Sequence, residues 1–228
     1  MGKDKLKRWA ENKTFGNVFE PNLLPIIREG KTFMKGEWRS SFFKNNNPII
    51  VELGCGKGEY TVGLGANNPN ANYIGVDVKG HRFHKGAKEA IEQGLTNVAF
   101  LRTRVEFIEA FFDTDEVDEI WLTFSDPQPQ DHEGKRRITS LYYIDKYKKF
   151  IKPGGVIHIK HDNPDLYAKA MKELTGAGYT IEVANDDIYG DFMQTQPEEM
   201  QRILNIRTYY EQMWLDEGRK IKYIRFRV

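Results

Sequence analysis

Cysteine is nearly absent from this chain of 228 residues. The one present, Cys55, excludes an internal disulfide and a cysteine-based zinc site. With no neighbouring His and no preceding Pro it lacks the setting of a nucleophile, and it reads as a small packing residue. Long apolar runs are missing too, since none approaches the roughly 20 residues needed to cross a bilayer. The first residues, MGKDKLKRW, lack the apolar core of a signal peptide, and Leu6 stands where a myristoylation motif needs Ser or Thr. These absences predict a cytoplasmic protein with no membrane partner. Charge of one sign is also lacking: 34 basic against 33 acidic residues leave a net charge of +1. A global basic field is therefore excluded as an argument for nucleic acid, and only local patches can make that case. The histidines supply no metal set, because His81 and His84 share a helical face without a third ligand and His158 alternates within a strand, so no metal is expected. No internal repeat or low-complexity tract interrupts the chain.

What is present is a soluble globular composition, 39% hydrophobic and 29% charged, on a length that suits one well-buried domain. Residues 1–47 have no sustained period, mix Lys, Asn and Gly with aromatics, and include Pro21 and Pro25. They read as an amino-terminal arm, and Lys3, Lys5, Lys7 and Arg8 against Asp4 read as a solvated, frayed end or a phosphate contact. From Pro48 onward, across 48–228, strand-like runs alternate with helical ones, the pattern of a parallel sheet with helices on both faces. Asp186 to Asn205 reads as irregular, Lys152 to Gly155 as a turn, and Val105 to Phe112 as an α-helix. In the final strand, Lys220 to Val228, the side-chain alternation slips between Tyr223 and Ile224, as at a bulge.

The stretch IIVELGCGKGEY, Ile49 to Tyr60, runs from a doubly buried strand through Gly54, Gly56 and Gly58 into a helical register. Missing Cβ atoms let the backbone turn sharply and pass against a ligand, although a glycine-rich corner can also serve packing alone. A dinucleotide fingerprint needs G-x-G-x-x-G, and here the required third position holds Glu59. Glu52 adds a second acid two residues before the loop. Two acids repel a pyrophosphate but suit a ligand carrying an ammonium and a sulfonium, and S-adenosylmethionine is such a ligand. Asp77, about 25 residues after Glu52, stands near the spacing at which an acid takes ribose hydroxyls. It can equally cap the following helix. The fourth strand ends in Ser125-Asp126-Pro127 and the fifth in His161-Asp162-Asn163, each placing an acid where ligands bind in open α/β sheets. His161, beside Asp162, reads either as a residue that orients it or, as a lone strand-end histidine more often does, as a structural one.

Taken together, ELGCGKGEY, VDV, FSDP, the KRR at Lys135 to Arg137, KHDN at Lys160 to Asn163 and TYYE at Thr208 to Glu211 resemble the tRNA (guanine-N7-)-methyltransferase family. The likeness covers roughly Pro48 to the carboxyl end. It implies a Rossmann-like class I methyltransferase domain over 48–228, with a mostly parallel seven-stranded sheet. It also implies methyl transfer from S-adenosylmethionine to N7 of a guanine in the tRNA variable loop. By that resemblance Glu52, Gly54, Gly56, Asp77 and Asp126 lie beside the cofactor, and Arg104 takes the adenine-side position. Asp126 sits between cofactor and guanine as the catalytic carboxylate. Gln130, Asp162, Thr208, Tyr209, Tyr210 and Glu211 hold the target nucleotide, and Lys135, Arg136 and Arg137 contact RNA. This chain departs from the pattern at Gln128-Pro129-Gln130-Asp131, where the family has Trp and then lysines, and at Arg104, whose side chain donates only. Two other readings stay open: a methyltransferase of the same fold acting on another RNA or a small molecule, and a non-catalytic RNA-binding protein.

Overall fold

The computed structural model describes residues 3–128 and 135–228. Gln130 lies outside the described residues. The amino-terminal segment is built into the molecule, and its start is a helix in place of the expected frayed end. Helix α1 (Lys3–Asn12) is followed by strand β1 (Val18–Phe19), helix α2 (Leu23–Glu29) and a π-helical turn at Trp38–Phe43. Asn12 Nδ2 donates to the Gly80 carbonyl at 3.0 Å, Trp9 meets the His81 ring edge-on at 5.9 Å, and Phe15 stacks on His84 at 5.4 Å. Each anchor is a separate aromatic or amide contact, so no period in the sequence announces them.

The alternation seen from Pro48 onward is β2 (Ile49–Leu53), α3 (Glu59–Asn67), β3 (Asn72–Asp77), α4 (Gly80–Glu92), β4 (Val98–Arg102) and β5 (Val117–Thr123). It continues through α5 (Leu141–Tyr147), β6 (Ile151–His161), α6 (Pro164–Gly176) and β7 (Ile181–Asn185). Helices α7 (Met193–Thr195), α8 (Glu198–Leu204) and α9 (Tyr209–Asp216) precede β8 (Lys222–Arg227). Among the described residues the sheet has eight strands in the order β1-β4-β3-β2-β5-β6-β8-β7. Seven are the expected ones, and the eighth is β1, pairing parallel with β4 at Val18↔Phe100 and Phe19↔Leu101. Among the described residues β8 is the strand of reversed direction, pairing antiparallel with both β6 and β7. The chain leaves β2 toward β3 and β4 on one side and returns to β5 and β6 on the other, which opens a crevice at the carboxyl ends of β2 and β5.

Apolar clusters cover both faces of the sheet, one around Val51, Ile120 and Phe226, the other around Tyr60, Phe83, Trp121 and Tyr223. Burial on both faces explains the slipped alternation in β8. Tyr223 enters one cluster and Ile224 the other, while the register with β6 runs unbroken; the irregularity lies opposite, in β7 between Ile181 and Val183. Three other expectations are corrected. Val105–Ala110 is a 3₁₀ helix, Lys152 to Gly155 is absorbed into β6 as a bulge against β5, and Asp186 to Asn205 holds a π-helical turn at Ile188–Phe192 together with α7 and α8. Gly65 shows why α3 tolerates a glycine, since a Cβ there would fall 2.2 Å from Val98 Cγ2. No helix among the described residues is long and apolar enough to cross a membrane.

Trp38 is fully buried, stacks on Phe112 at 5.9 Å and donates its indole N–H to the Phe111 carbonyl at 2.8 Å. Trp38→Ala is expected to cost about 3–5 kcal/mol, read as a lowered midpoint in urea unfolding. A change below about 1 kcal/mol would show that the amino-terminal segment is not part of the cooperative unit.

Candidate active site

The strand-to-helix turn after β2 is held by backbone bonds before any ligand is considered. Gly54 N and Cys55 N both donate to the Val76 carbonyl, at 2.8 and 3.0 Å, and Gly56 N donates to Asp77 Oδ2 at 3.0 Å. Gly54, Gly56 and Gly58 all have positive φ, and a Cβ at Gly58 would lie 2.5 Å from the Phe100 ring. The other oxygen of Asp77 accepts from Lys79 N at 2.7 Å, an Asx turn before α4, whose N-cap position is Lys79 and carries no side-chain cap bond. Burial raises the Asp77 pKa, against the backbone bonds that lower it.

The turn forms one wall of a cleft of about 450 Å³. Gly54, Asp77 and Val78 line it on one side, Thr103, Arg104, Val105 and Glu106 on a second, and Ser125, Asp126, Arg136 and Ile138 on a third. The volume falls within the range of small-molecule sites. Arg104 points its guanidinium at Glu106, 2.6 Å away, which leaves the backbone after β4 as the lining and brings in Glu106, an acid the sequence did not single out. Asp126 is exposed and accepts from Gln128 N at 3.1 Å, fixing the turn after β5. Ser125 Oγ is buried with no hydrogen-bond partner among the described residues.

His161 is the support of that turn. Its Nε2–H donates to the Ser125 carbonyl at 2.5 Å, and its Nδ1 accepts from Asn163 N at 2.9 Å. Burial lowers its pKa, and Nδ1 also lies 3.2 Å from Asp162 Oδ1. His161 therefore braces the segment carrying Asp126 and also touches Asp162.

Four expected site residues face elsewhere. Glu52 is 2% exposed beneath the loop, where both carboxylate oxygens accept from the hydroxyls of Thr61 and Thr123. Asp162 does not line the cleft; its Oδ2 pairs with Arg219 at 2.9 Å. Arg137 is 1% exposed, with Nη2 2.6 and 2.8 Å from the two oxygens of Glu173, while Lys135 and Arg136 are exposed. Burial overturns an RNA contact for Arg137. It also overturns a substrate role for Glu211, which is fully buried and ion-paired with Lys160 at 2.8 Å while accepting from Tyr189 at 2.7 Å.

The rest of the TYYE block meets the glycine loop. Thr208 caps α9 by accepting from Glu211 N at 3.1 Å, and Tyr209 and Tyr210 are exposed. Tyr209 N donates to Glu59 Oε2 at 2.7 Å across 150 residues of sequence, and Lys57 Nζ lies 3.6 Å from the centre of the Tyr209 ring. Glu59 thus satisfies a free amide at the start of α9. Nothing local to either segment signals that contact. Among the described residues no group of His, Cys, Asp or Glu side chains is arranged to hold a metal ion.

A family model described as "Putative methyltransferase" matches residues 46–224. The chain is 45% identical over 229 residues to a tRNA (guanine-N(7)-)-methyltransferase of Bacteroides thetaiotaomicron, a match spanning 100% of this chain and 87% of the relative. It is 44% identical over 226 residues to the protein of that name from Christiangramia forsetii, covering 99% and 98%. Among solved structures, the 16S rRNA methyltransferase KamB superposes with a TM-score of 0.63 at 13% identity, over 87% of this chain and 95% of that one. A 16S rRNA (adenine(1408)-N(1))-methyltransferase from Catenulisporales acidiphilia with cosubstrate SAM gives 0.60 at 14%, over 86% and 92%. At such identities the structural likeness is one of fold.

Two stability predictions follow from the buried charges. Burial raises the Glu52 pKa above its unfolded value, outweighing the two threonine bonds that lower it. The folded state then holds a proton that the unfolded chain releases, so this contribution is complete below the unfolded pKa and is lost as pH rises through the folded one. Glu52→Gln keeps one accepted and one donated bond without the charge. It should be at least as stable as wild type at pH 7 and flatten stability above pH 4.5, in urea titrations at several pH values; a clear loss at pH 7 would refute this. Lys160→Met leaves Glu211 buried without its cation and should cost about 3–5 kcal/mol, partly recovered by adding Glu211→Gln. No recovery in the double variant would separate the two residues energetically.

Proposed function

The chain belongs to the tRNA (guanine-N(7)-)-methyltransferase family, and from that membership we propose that it methylates N7 of a guanine in the tRNA variable loop, using S-adenosylmethionine, in the cytoplasm. The observation that carries the reading is one cleft at the strand-order reversal, lined by carboxylates from two strand ends, Asp77 after β3 and Asp126 after β5. The residues fit the cofactor. Each Asp77 oxygen uses one lone pair on a backbone N–H and keeps another for a ribose hydroxyl, Val78, Val105 and Ile138 would give the adenine an apolar wall, and Ser125, whose buried Oγ has no partner among the described residues, is one of the lining residues. Gly54 and Gly56 would allow the ligand to approach the backbone, and Thr103 to Glu106, on the cleft wall, would line the base.

When bound, the cofactor supplies an electrophilic methyl group on a sulfonium. Guanine N7 carries a lone pair and no proton, so no general base is needed to make the nucleophile. The N7 lone pair would take that methyl carbon while the electrons of the carbon–sulfur bond stayed with sulfur. Positive charge passes to the purine, and the Asp126 carboxylate stabilises it and accepts from the guanine amino edge. Thr208, Tyr209 and Tyr210 frame the target nucleotide, the exposed tyrosines offer a stacking surface, and Lys135 and Arg136 meet phosphate. Residues 48–228 form the methyltransferase domain.

Incubating the protein with methyl-labelled S-adenosylmethionine and unmodified tRNA, then digesting to nucleosides, should put the label in 7-methylguanosine and lose it when the variable-loop guanine is replaced. Asp126→Ala should lower kcat about 100-fold or more while leaving tRNA affinity within about threefold. Label in another nucleoside would move the reading to a different RNA site, and an unchanged kcat would remove Asp126 from the chemistry.

A further inference from the structure

A second cleft, of about 580 Å³, lies between α1 and α4 and carries a charge surplus that the chain as a whole lacks. Arg8, Lys57, Arg82, Lys85 and Lys88 line it together with His84, against only Glu89 and Glu92. Two features separate it from an ordinary solvated helix face. The first is continuity, because Arg82 lines both this cleft and the one holding Asp77 and Asp126, and Lys57 leads from the glycine loop to the exposed Tyr209 ring. The second is uncommitted charge: the guanidinium groups of Arg8 and Arg82 make no hydrogen bond or ion pair among the described residues, and both residues are exposed. Lys88 has only distant partners, the half-buried Glu11 and the exposed Glu92, each at 4.0 Å, while Lys85 is already paired with Glu59 at 2.9 Å.

The spacing suits a polyanion. Arg82, Lys85 and Lys88 recur every third residue on α4, about 4.5 Å apart along the axis, on the side away from the buried Phe83, Ala87 and Ala90. Arginine forks take phosphate oxygens in pairs, and such contacts position a nucleic acid without reading its sequence. Resting on the reading of tRNA as substrate, we propose that the groove between α1 and α4 is a docking surface for the tRNA sugar-phosphate backbone, holding the strand that flanks the target guanine. The amino-terminal helix is then part of the substrate interface, and Arg8 contributes to it from outside the methyltransferase domain.

The test is a charge reversal at the two positions farthest from the chemistry, R8E with K88E, beside the charge-preserving R8K with K88R. Binding of unmodified tRNA is measured without cofactor across a salt series, and methylation is measured separately. The reversal should weaken tRNA binding about tenfold or more at low salt and flatten the dependence of log K on log salt by about one to two, at roughly 0.9 per lost phosphate contact. S-adenosylmethionine affinity and kcat at saturating tRNA should stay at wild-type values, and the lysine-arginine exchange should retain most of the binding. Wild-type affinity and salt slope in the reversal variant would overturn the docking surface. If the wild-type protein binds tRNA through these residues but transfers no label to it, the function reading falls and the surface stands. If the wild-type protein does not bind tRNA at all, both fall.

Discussion

One buried ammonium organises the substrate side of this molecule. Lys160 Nζ, fully out of water at the end of β6, donates to the carbonyls of Leu204 and Ile206 at 2.8 and 3.2 Å and pairs with Glu211. The Tyr60 ring lies 5.0 Å away and Phe124 5.9 Å, so the helix behind the glycine loop and the end of β5 close the same cage. Burial pushes the Lys160 pKa down, against the pull of Glu211, and an isolated ammonium could not persist there. The carbonyls at the end of α8, the carboxylate of α9 and the ammonium each need the others. A desolvated group is costly when left unpaired, which is how this cage ties together segments far apart in sequence.

Strands β2 to β6 and the glycine loop were legible in the sequence because their signals are local: apolar runs of strand length, positive-φ glycines, and Asp126 and Asp162 placed just past a strand end. The amino-terminal helix was not, since Trp9, Asn12, Phe15 and Trp38 each dock separately and leave no period to read. The segment from Asp186 to Asn205 failed for a related reason. Its helices are short and polar, and Ile188 and Leu204 bury one side chain each where an amphipathic helix would bury a stripe.

Acid residues show the same limit at the site. Glu52, Asp77, Asp126, Asp162 and Glu211 look alike as letters in motifs, yet the structure sorts them by what surrounds them. Glu52 sits under threonine hydroxyls and Glu211 against Lys160, both sealed from solvent; Asp162 is taken by Arg219; Asp77 and Asp126 remain on the wall of the cleft. Arg137 belongs to the same lesson. It stands in a basic triplet on a polar loop, and a carboxylate on α6, Glu173, draws it inward while Lys135 and Arg136 stay out.

Two carboxylates hold the glycine loop, and both do so through backbone amides. Asp77 takes the N–H of Gly56 on the cleft side, and Glu59, at the start of α3, takes the N–H of Tyr209 on the other. The loop's conformation is therefore set by the protein alone, and little ordering cost remains for a ligand to meet. Glu59 also explains a feature that first served only to exclude a dinucleotide. It puts a negative charge at the helix start where a pyrophosphate would need none, and uses that charge to cap a different helix. The residue that breaks one cofactor pattern is thus the one that joins the cofactor side to the TYYE segment.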